Sequence, residues 1–553
     1  MNNKNVILIV VDAVRSYKSG RDERDRLDVY NDLTKKNFIS FDKLVVSAPS
    51  SVMSAVTMLT GLPSFMLAQN YNDFQWEPDL YDIVPNILAA NGYDLYGIFY
   101  TKEMRDKMKG VFPPMQNEFL VSGTNLRQKK WSNKELFGIV RNHFERSITS
   151  SENPFFLMAW FNSRFDWGTS DIISELIEYI QDKGYLDESL VIVTADHGYP
   201  DQRRGLTSDG VDLKKSGIAH DLIVTDDNIC VPLAVHFPSN YQGIGKLSSV
   251  CAEGQLPIVI SQECLAPTIL DVLDVNFNDM PIKPERDGFV SEVLKKNRIP
   301  IRSDARFIFQ PNRIISIRSE HYKYVIDREK SEEYYYDLIK DPLEDNPISN
   351  LSTRIGELKK IYNKTEKKAL AIWFTKIENK LKPYDFSVML SPNQEYNVFF
   401  LGTTVFIAPF LQHLQRHKNR INLYVINRAV EELLMNSIDT SGIRIELIER
   451  CHIGKAIVVL EDSLSRSLTE RLKLINAQKI IIIDALLNVS NSKRTLLYRT
   501  RVNFMLGPIN RMYLRKDLYR ESPLLFFSDI MYLVTRSYAL VIGKALVMIR
   551  GSK

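Results

Sequence analysis

Cysteine is scarce: four residues in 553, Cys230, Cys251, Cys264 and Cys451, with no C-x-x-C pair among them. That scarcity argues against a disulfide-stapled scaffold and a paired-thiolate zinc site, and it fits a reducing compartment. Long apolar runs are lacking too. The run over residues 6–11 stops at Asp12, far short of the about 20 residues a membrane span needs. It therefore reads as a buried strand. No charged segment followed by an apolar stretch and a cleavage site opens the chain, so a cytoplasmic location is expected. Nor does charge of one sign prevail. Lys plus Arg number 71 against 67 Asp plus Glu, a net charge of +4, which gives no ground for a nucleic-acid partner. No internal repeat or low-complexity tract interrupts the chain.

What is present is ordinary for a globular protein: 44% apolar and 25% charged residues. The length points to about two to four domains. Up to residue 380, apolar β-type runs alternate with helical patterns, the mark of an α/β sheet with crossover helices. "NVILIVV", "NPFFLMAWF", "SLVIVTA" and "VPLAVHFP" read as strands. "YDIVPNILAANG" and "SDIISELIEYIQDKG" read as helices closed by Gly92 and Gly184. "LAPTILDVLDV" reads as a short helix with Pro267 in its first turn. A polar antiparallel meander follows over residues 314–342, then a charged helix with an apolar stripe over 352–380. After a linker, the strand–helix rhythm restarts with "NVFFLG", "INLYVIN", "IRIELIE", "AIVVLED" and "KIIIIDAL". The expected domains are thus 1–380, carrying the chemistry, and 381–553, a smaller Rossmann-like α/β unit of unassigned role. Its "FFLGTT" turn has a single glycine, too little for a dinucleotide fingerprint. The C-terminal "DIMYLVTRSYALVIGKALVMIRGSK", broken by Arg536, Lys544 and Arg550, has two readings. It is a buried terminal helix, or a segment resting on the inner face of a membrane.

In open parallel sheets, ligands collect at the carboxyl ends of strands, and three polar features fall there. Asp12 ends the first strand. Asp196 and His197, in "TADHG", end another. The third is "SAPSSVMSAVTMLTG" (residues 47–61), with four serines and two threonines between an apolar strand and a helix. Carboxylates, a neutral imidazole and a hydroxyl together form an ordinary donor set for a divalent cation. Singly, each has a plain structural explanation, a helix cap or a packing seam. Jointly, at three strand ends, they point to a metal site.

Seven separated segments, among them "NVILIVVDAVR", "VTMLTGLPS", "SLVIVTADHG" and "AHDLIVTDDNICVPLAVHFP", resemble in order and spacing the sulfatase branch of the alkaline phosphatase superfamily. The resemblance covers residues 1 to about 350. It implies an α/β sandwich with one divalent metal ion (Mn, Mg, Zn or Ca) and a metal-bound nucleophile that cleaves or transfers sulfate or phosphate esters. By that resemblance Asp12, Asp196 and His197 match metal ligands. Ser51, ten residues before Gly61, matches the nucleophile and a fourth ligand, with Ser50 next in line. Ser47 and Ser54 are weaker candidates for that role, and Ser54 and Thr57 suit packing of the helix. His220 matches a basic residue that binds a substrate oxygen or protonates the leaving group. Arg164 and Lys215, with Lys214 beside it, are candidate anion contacts, against a reading as solvated surface charges. Asn162 and Asp166 share the Arg164 loop.

The departures bear on the substrate. Met53 and Ala55 stand where formylglycine sulfatases carry proline and arginine, which implies an unmodified serine. A plain serine alkoxide forms a phospho-intermediate readily, whereas a sulfated serine lacks the hydrate route by which formylglycine releases sulfate. "DA" replaces two aspartates at the first strand end, implying a single-metal site. The expectation is a phosphoester hydrolase or phosphotransferase acting on a small-molecule or glycan ester, such as a cell-envelope precursor. The alternatives are a sulfuric ester hydrolase and an inactive sulfatase-like binding scaffold.

Overall fold

The computed structural model describes residues 4–16, 32–33, 36–67, 81–99, 117–120, 133–148, 152–162, 169–200, 223–247, 255–277, 279–295, 299–307, 310–327, 332–348 and 356–368. Beyond these it describes strands at 395–401, 420–425, 443–447, 456–460 and 477–482 with a few positions around them. The chain forms two compact units. One comprises Met1–Asp327 and Glu332–Thr365, the other Arg328–Ser331 and Glu366–Lys553.

The first unit is built on an eight-stranded sheet. Its strands are β1 (Asn5–Asp12), β2 (Ile39–Val45), β3 (Asp94–Phe99), β4 (Asn117–Leu120), β5 (Phe155–Asn162), β6 (Ser189–Ala195), β7 (Cys230–His236) and β8 (Gln255–Ser261), in the spatial order 4-3-5-1-6-7-2-8. The five strands from β4 to β6 run parallel; β7 is antiparallel to both of its neighbours, and β8 pairs parallel to β2. β1 and β6 are central, which explains their sequence. Buried on both faces, they read as unbroken apolar runs rather than alternating ones. Register then places the polar strand ends. Val11 lies opposite Ala195 and Asp12 opposite Asn162, so Asp12 and Asp196 emerge side by side at the middle of the sheet.

Helix α1 (Ser51–Thr60) follows β2 at the same end of the sheet. All ten of its residues are buried, and a helix enclosed on every side needs apolar or small residues all round. "SVMSAVTMLT" supplies both. It stops at Gly61, whose φ of +71° is left-handed and whose N–H donates to the Thr57 carbonyl. A Cβ there would lie 2.9 Å from Pro284 Cγ, so the turn has no space for a side chain. Helices α2 (Val84–Ala90), α3 (Asn133–Ile148) and α4 (Thr169–Asp182) supply further crossovers. Gly92 (φ +84°) and Gly184 (φ +77°) lie two residues beyond α2 and α4, as the sequence led us to expect. α5 (Asp226–Ile229) precedes β7, and α6 (Leu265–Leu273) follows β8.

A four-stranded antiparallel sheet completes this unit: β9 (Ile301–Phe307), β10 (Gln310–Arg318), β11 (Tyr322–Asp327) and β12 (Glu332–Asp337), ordered 12-11-10-9. A helix over residues 356–368 covers it through Leu358 and Tyr362, which pack on Ile315, Ile317 and Tyr324. In the second unit, β13 (Glu395–Leu401), β14 (Arg420–Val425), β15 (Ile443–Leu447), β16 (Ala456–Leu460) and β17 (Ala477–Ile482) form a wholly parallel sheet. Its order, 15-14-13-16-17, is doubly wound with the first strand central. β13 begins at Glu395, inside the stretch the sequence reading assigned to the linker. No helix among the described residues is long and apolar enough to cross a membrane. The C-terminal segment around Arg536, Lys544 and Arg550 lies outside the described residues.

Candidate metal centre

Four residues converge where β1, β6 and α1 meet. Asp12 ends β1, Asp196 and His197 follow β6, and Ser51 opens α1. Ser51 Oγ lies 3.5 Å from Asp12 Oδ1 and 3.3 Å from His197 Nε2. Nε2 in turn lies 3.7 Å from Asp12 Oδ1 and 3.4 Å from Asp196 Oδ2. Donor atoms of Asp12, Asp196 and His197 all fall within 4.8 Å of one another. Asp196, His197 and Ser51 are buried, and Asp12 is partly exposed.

The backbone holds these groups in place. Asp196 Oδ1 accepts the N–H of Ala13 at 2.9 Å and of His197 at 2.8 Å. Ala13, the donor in the first of these bonds, has a left-handed φ of +60°, uncommon for a residue with a Cβ. Such strain persists where surrounding contacts over-determine it, and it gathers at functional sites. With Oδ1 so occupied, the buried Oδ2 is left with no hydrogen-bond donor.

His197 Nδ1 is 2.7 Å from the Gly198 carbonyl. A carbonyl only accepts, so Nδ1 carries a proton, and in the neutral ring the Nε2 lone pair faces the carboxylates. Two carboxylate oxygens, an imidazole lone pair and a hydroxyl oxygen thus face one point. Acceptors crowded this closely repel unless a cation lies between them, and oxygen with imidazole nitrogen is a fitting set for Mg, Mn, Ca or Zn. The orphaned Asp196 Oδ2 is the observation that tests this, and it agrees: these residues fit a divalent ion.

Behind the centre, the D-H-G turn is docked on α5. Gly198 N–H donates to the Asn228 carbonyl at 2.8 Å and Tyr199 N–H to that of Asp227 at 3.1 Å. α5 is itself fixed by a buried charge cluster. Arg318 Nη2 reaches Asp226 Oδ2 at 2.8 Å, Lys323 Nζ reaches Asp226 Oδ1 at 3.2 Å, and Lys43 Nζ reaches Asp226 Oδ2 at 3.2 Å. Lys323 also donates to Glu344 at 2.9 Å, and Glu344 accepts the Asp226 N–H at 2.8 Å. Burial alone would raise the Asp226 pKa, but Arg318, Lys323 and Lys43 outweigh it and hold the carboxyl well below its usual range.

The structure therefore brings Asp12, Ser51, Asp196 and His197 together. His220, Arg164, Lys215 and Lys214 lie outside the described residues, as does Asp166. Ser50 precedes α1, with its buried Oγ lacking a hydrogen-bond partner. Ser47 Oγ accepts the Ser64 N–H at 2.6 Å, which gives it a structural tie. Thr57 is buried as expected. So is Ser54, yet it also donates to the Asp196 carbonyl. Asp226, Arg318, Lys323 and Glu344 were not singled out in the sequence. The one local signal was "TDDN", a capping pattern ahead of a strand.

No protein-family model matches the chain, and no curated protein does. Among solved structures, the chain is similar to a phosphonate monoester hydrolase of Agrobacterium radiobacter. The TM-score is 0.50 at 15% identity, over 66% of this chain and 95% of that one. It is similar to the same degree, TM-score 0.50 at 13% identity, to a 2-O GAG sulfatase, over 66% of this chain and 92% of that one. These likenesses establish a shared α/β fold.

Proposed function

We propose that the chain is a metal-dependent enzyme that hydrolyses or transfers a phosphoester group through Ser51. The observation that carries this reading is the convergence of Ser51 Oγ, Asp12 Oδ1, Asp196 Oδ2 and His197 Nε2 on one point, with Asp196 Oδ2 left without a donor.

A bound divalent cation supplies positive charge that lowers the pKa of a coordinated hydroxyl and offsets charge on the transferred group. Asp12, Ser51, Asp196 and His197 would hold it. The rest of the chemistry belongs to the side chains. Ser51 Oγ releases its proton to solvent and attacks phosphorus in line; the O–P bond to serine forms as the bond to the leaving oxygen breaks. The departing alkoxide takes a proton, for which His220 is the candidate donor. Water or an acceptor hydroxyl then attacks the seryl phosphate, the P–O bond to serine breaks, and the Ser51 oxygen takes up the proton that the attacking hydroxyl loses, giving hydrolysis or transfer. α1 aids the first step because Ser51 sits at its first turn, where backbone N–H groups and the helix dipole favour an anion. That turn carries no acidic residue. Arg164 and Lys215 are assigned to the ester's remaining charge.

The phosphoester preference rests on Met53 and Ala55, which stand where a formylglycine signal would place proline and arginine. The structural neighbours include a phosphonate hydrolase and a glycosaminoglycan sulfatase, so a glycan-linked ester is a suitable substrate class and sulfate is the competing one. The test is one panel: full-length protein with Mn, Mg, Zn or Ca, assayed on aryl phosphate, phosphodiester and aryl sulfate, for wild type, Ser51→Ala and Ser50→Ala. The expected result is metal-dependent phosphoester turnover lost in Ser51→Ala alone. Turnover of sulfate only makes the chain a sulfatase. Loss in Ser50→Ala instead moves the nucleophile by one residue. Neither turnover nor metal binding makes it a scaffold.

A further inference from the structure

Ser54 and Gln262 lie 208 positions apart in the sequence and meet at the centre of the first unit. Both are fully buried. Gln262 Nε2 donates to Ser54 Oγ, and Ser54 Oγ–H donates to the backbone carbonyl of Asp196. The direction of the relay is fixed by its end, because a carbonyl only accepts. Ser54 must therefore give its single proton to Asp196 and receive from the Gln262 amide.

The relay joins three elements that chemistry at this site needs in register. Ser54 lies three residues after Ser51, and residues at this spacing share one face of a helix. Asp196 carries one carboxylate of the cluster and precedes its imidazole. Gln262 follows β8 in a turn whose start is fixed by Ser261 Oγ, which accepts the Glu263 N–H at 3.2 Å. Glu263 is anchored in turn by Arg286, whose Nε donates to it at 2.9 Å within the core. Asp196 is thus held at three points: two N–H groups on Oδ1 and the Ser54 hydroxyl on its carbonyl.

Burial by itself does not explain the pairing. Thr57, one turn further along the same helix and equally enclosed, has a hydroxyl with no hydrogen-bond partner. Close packing of α1 is therefore compatible with an unpaired hydroxyl, and the bonds at Ser54 do something that packing does not require.

We propose that Ser54 and Gln262 are positioning residues that lock the Ser51 helix to the Asp196–His197 turn and so set cation affinity at the centre. This inference rests on the metal-dependent reading above. Partners of this kind, one bond removed from the ligands, typically change metal affinity by roughly 10–100-fold when removed. Displacing a reacting group by about 1 Å costs on the order of 100-fold in rate.

The experiment is calorimetric titration of the metal-free full-length protein with Mn2+, Mg2+, Zn2+ and Ca2+ separately, alongside thermal melts. The variants are Ser54→Ala, Gln262→Ala, the double variant and Thr57→Ala. Ser54→Ala and Gln262→Ala are each expected to weaken binding of the preferred cation by about 10–100-fold. The double variant should lose no more than the worse single one, since either change breaks the same relay. Thr57→Ala should lower the melting temperature yet leave affinity unchanged. Wild-type affinity in both single variants overturns the inference while leaving the metal centre standing. Equal weakening in Thr57→Ala overturns it too, because general loosening of α1 would then suffice. A wild type that binds none of the four cations refutes the metal reading itself and the inference with it.

Discussion

Gly198 has no space for a side chain. A Cβ built there would lie 2.2 Å from the Asp227 carbonyl oxygen, backbone against backbone, with no flexible side-chain end to yield. Gly198→Ala must therefore push the D-H-G turn off α5, breaking the 2.8 Å bond from Gly198 N–H to Asn228. The expected cost is about 1–3 kcal/mol of stability, read as a lower midpoint in urea unfolding. Cation affinity should fall as well, because His197 moves with the turn. Unchanged stability and affinity would mean that the turn relaxes freely and the close approach is incidental. Much at this scale was legible in advance. Asp12, Asp196 and His197 each sit at or just past a strand end that apolar patterning locates, whereas Ser51 was singled out among the serines of residues 47–61 by the family resemblance alone. The Gln262–Ser54 relay was not legible. Its halves come from distant segments, and a lone glutamine or a helical serine has no local signature.

Elements of the antiparallel sheet show a sharper limit. The segment from β10 to β12 reads as a polar meander, a pattern that gives its charges no partners. Instead Arg318 and Lys323 are buried, paired with Asp226 and Glu344 from elsewhere in the chain. Sequence alone does not distinguish a charge that meets water from one that meets a counter-charge 92 positions away. Breaking such a pair by removing one partner leaves an uncompensated buried charge and costs about 3–5 kcal/mol, so Asp226→Asn should be severely destabilising.

The cluster also fixes a dependence on pH. Asp226 has its pKa held well below the ordinary 3.8, so its stabilisation is complete above that value and lost as pH falls beneath it. Glu344 goes the other way. Burial pushes its carboxyl up to about 7, against the pull of Lys323. The folded state therefore holds the Glu344 proton more tightly than the unfolded chain does. The associated stability is full below the ordinary glutamate value and declines as pH rises through 7. Melting temperatures across pH 3 to 9 should accordingly fall on both sides of a mildly acidic maximum, with Glu344→Gln flattening the alkaline limb (roughly pH 5 to 7) only. An unaltered alkaline limb in Glu344→Gln would show that its carboxyl is ionised throughout that range.

For the whole molecule, the question is whether the two units need each other to fold. Both sheets of the first unit draw every strand from residues 5–337, and the helix over 356–368 closes the smaller one through Leu358 and Tyr362. The second unit has its own five-stranded parallel sheet, whose order puts its first strand in the middle. Apolar patterning announced all five of those strands but could not give their order, which depends on crossovers that strand sequences do not encode. Since each sheet is completed by its own strands, a chain ended at residue 380 should fold and melt in one cooperative transition, with the cation affinity of the full protein. Ending it at residue 350 should fail, because Leu358 and Tyr362 leave Ile315, Ile317 and Tyr324 uncovered. Burial of side chains this size is worth about 1.5–3 kcal/mol each, a large share of the about 5–15 kcal/mol by which domains are stable. Calorimetric melts of both truncations, with and without Mn2+, separate the possibilities. If the chain ended at 380 also fails to fold, the second unit is part of the first one's stability, and the boundary near residue 365 does not mark an independently folding domain.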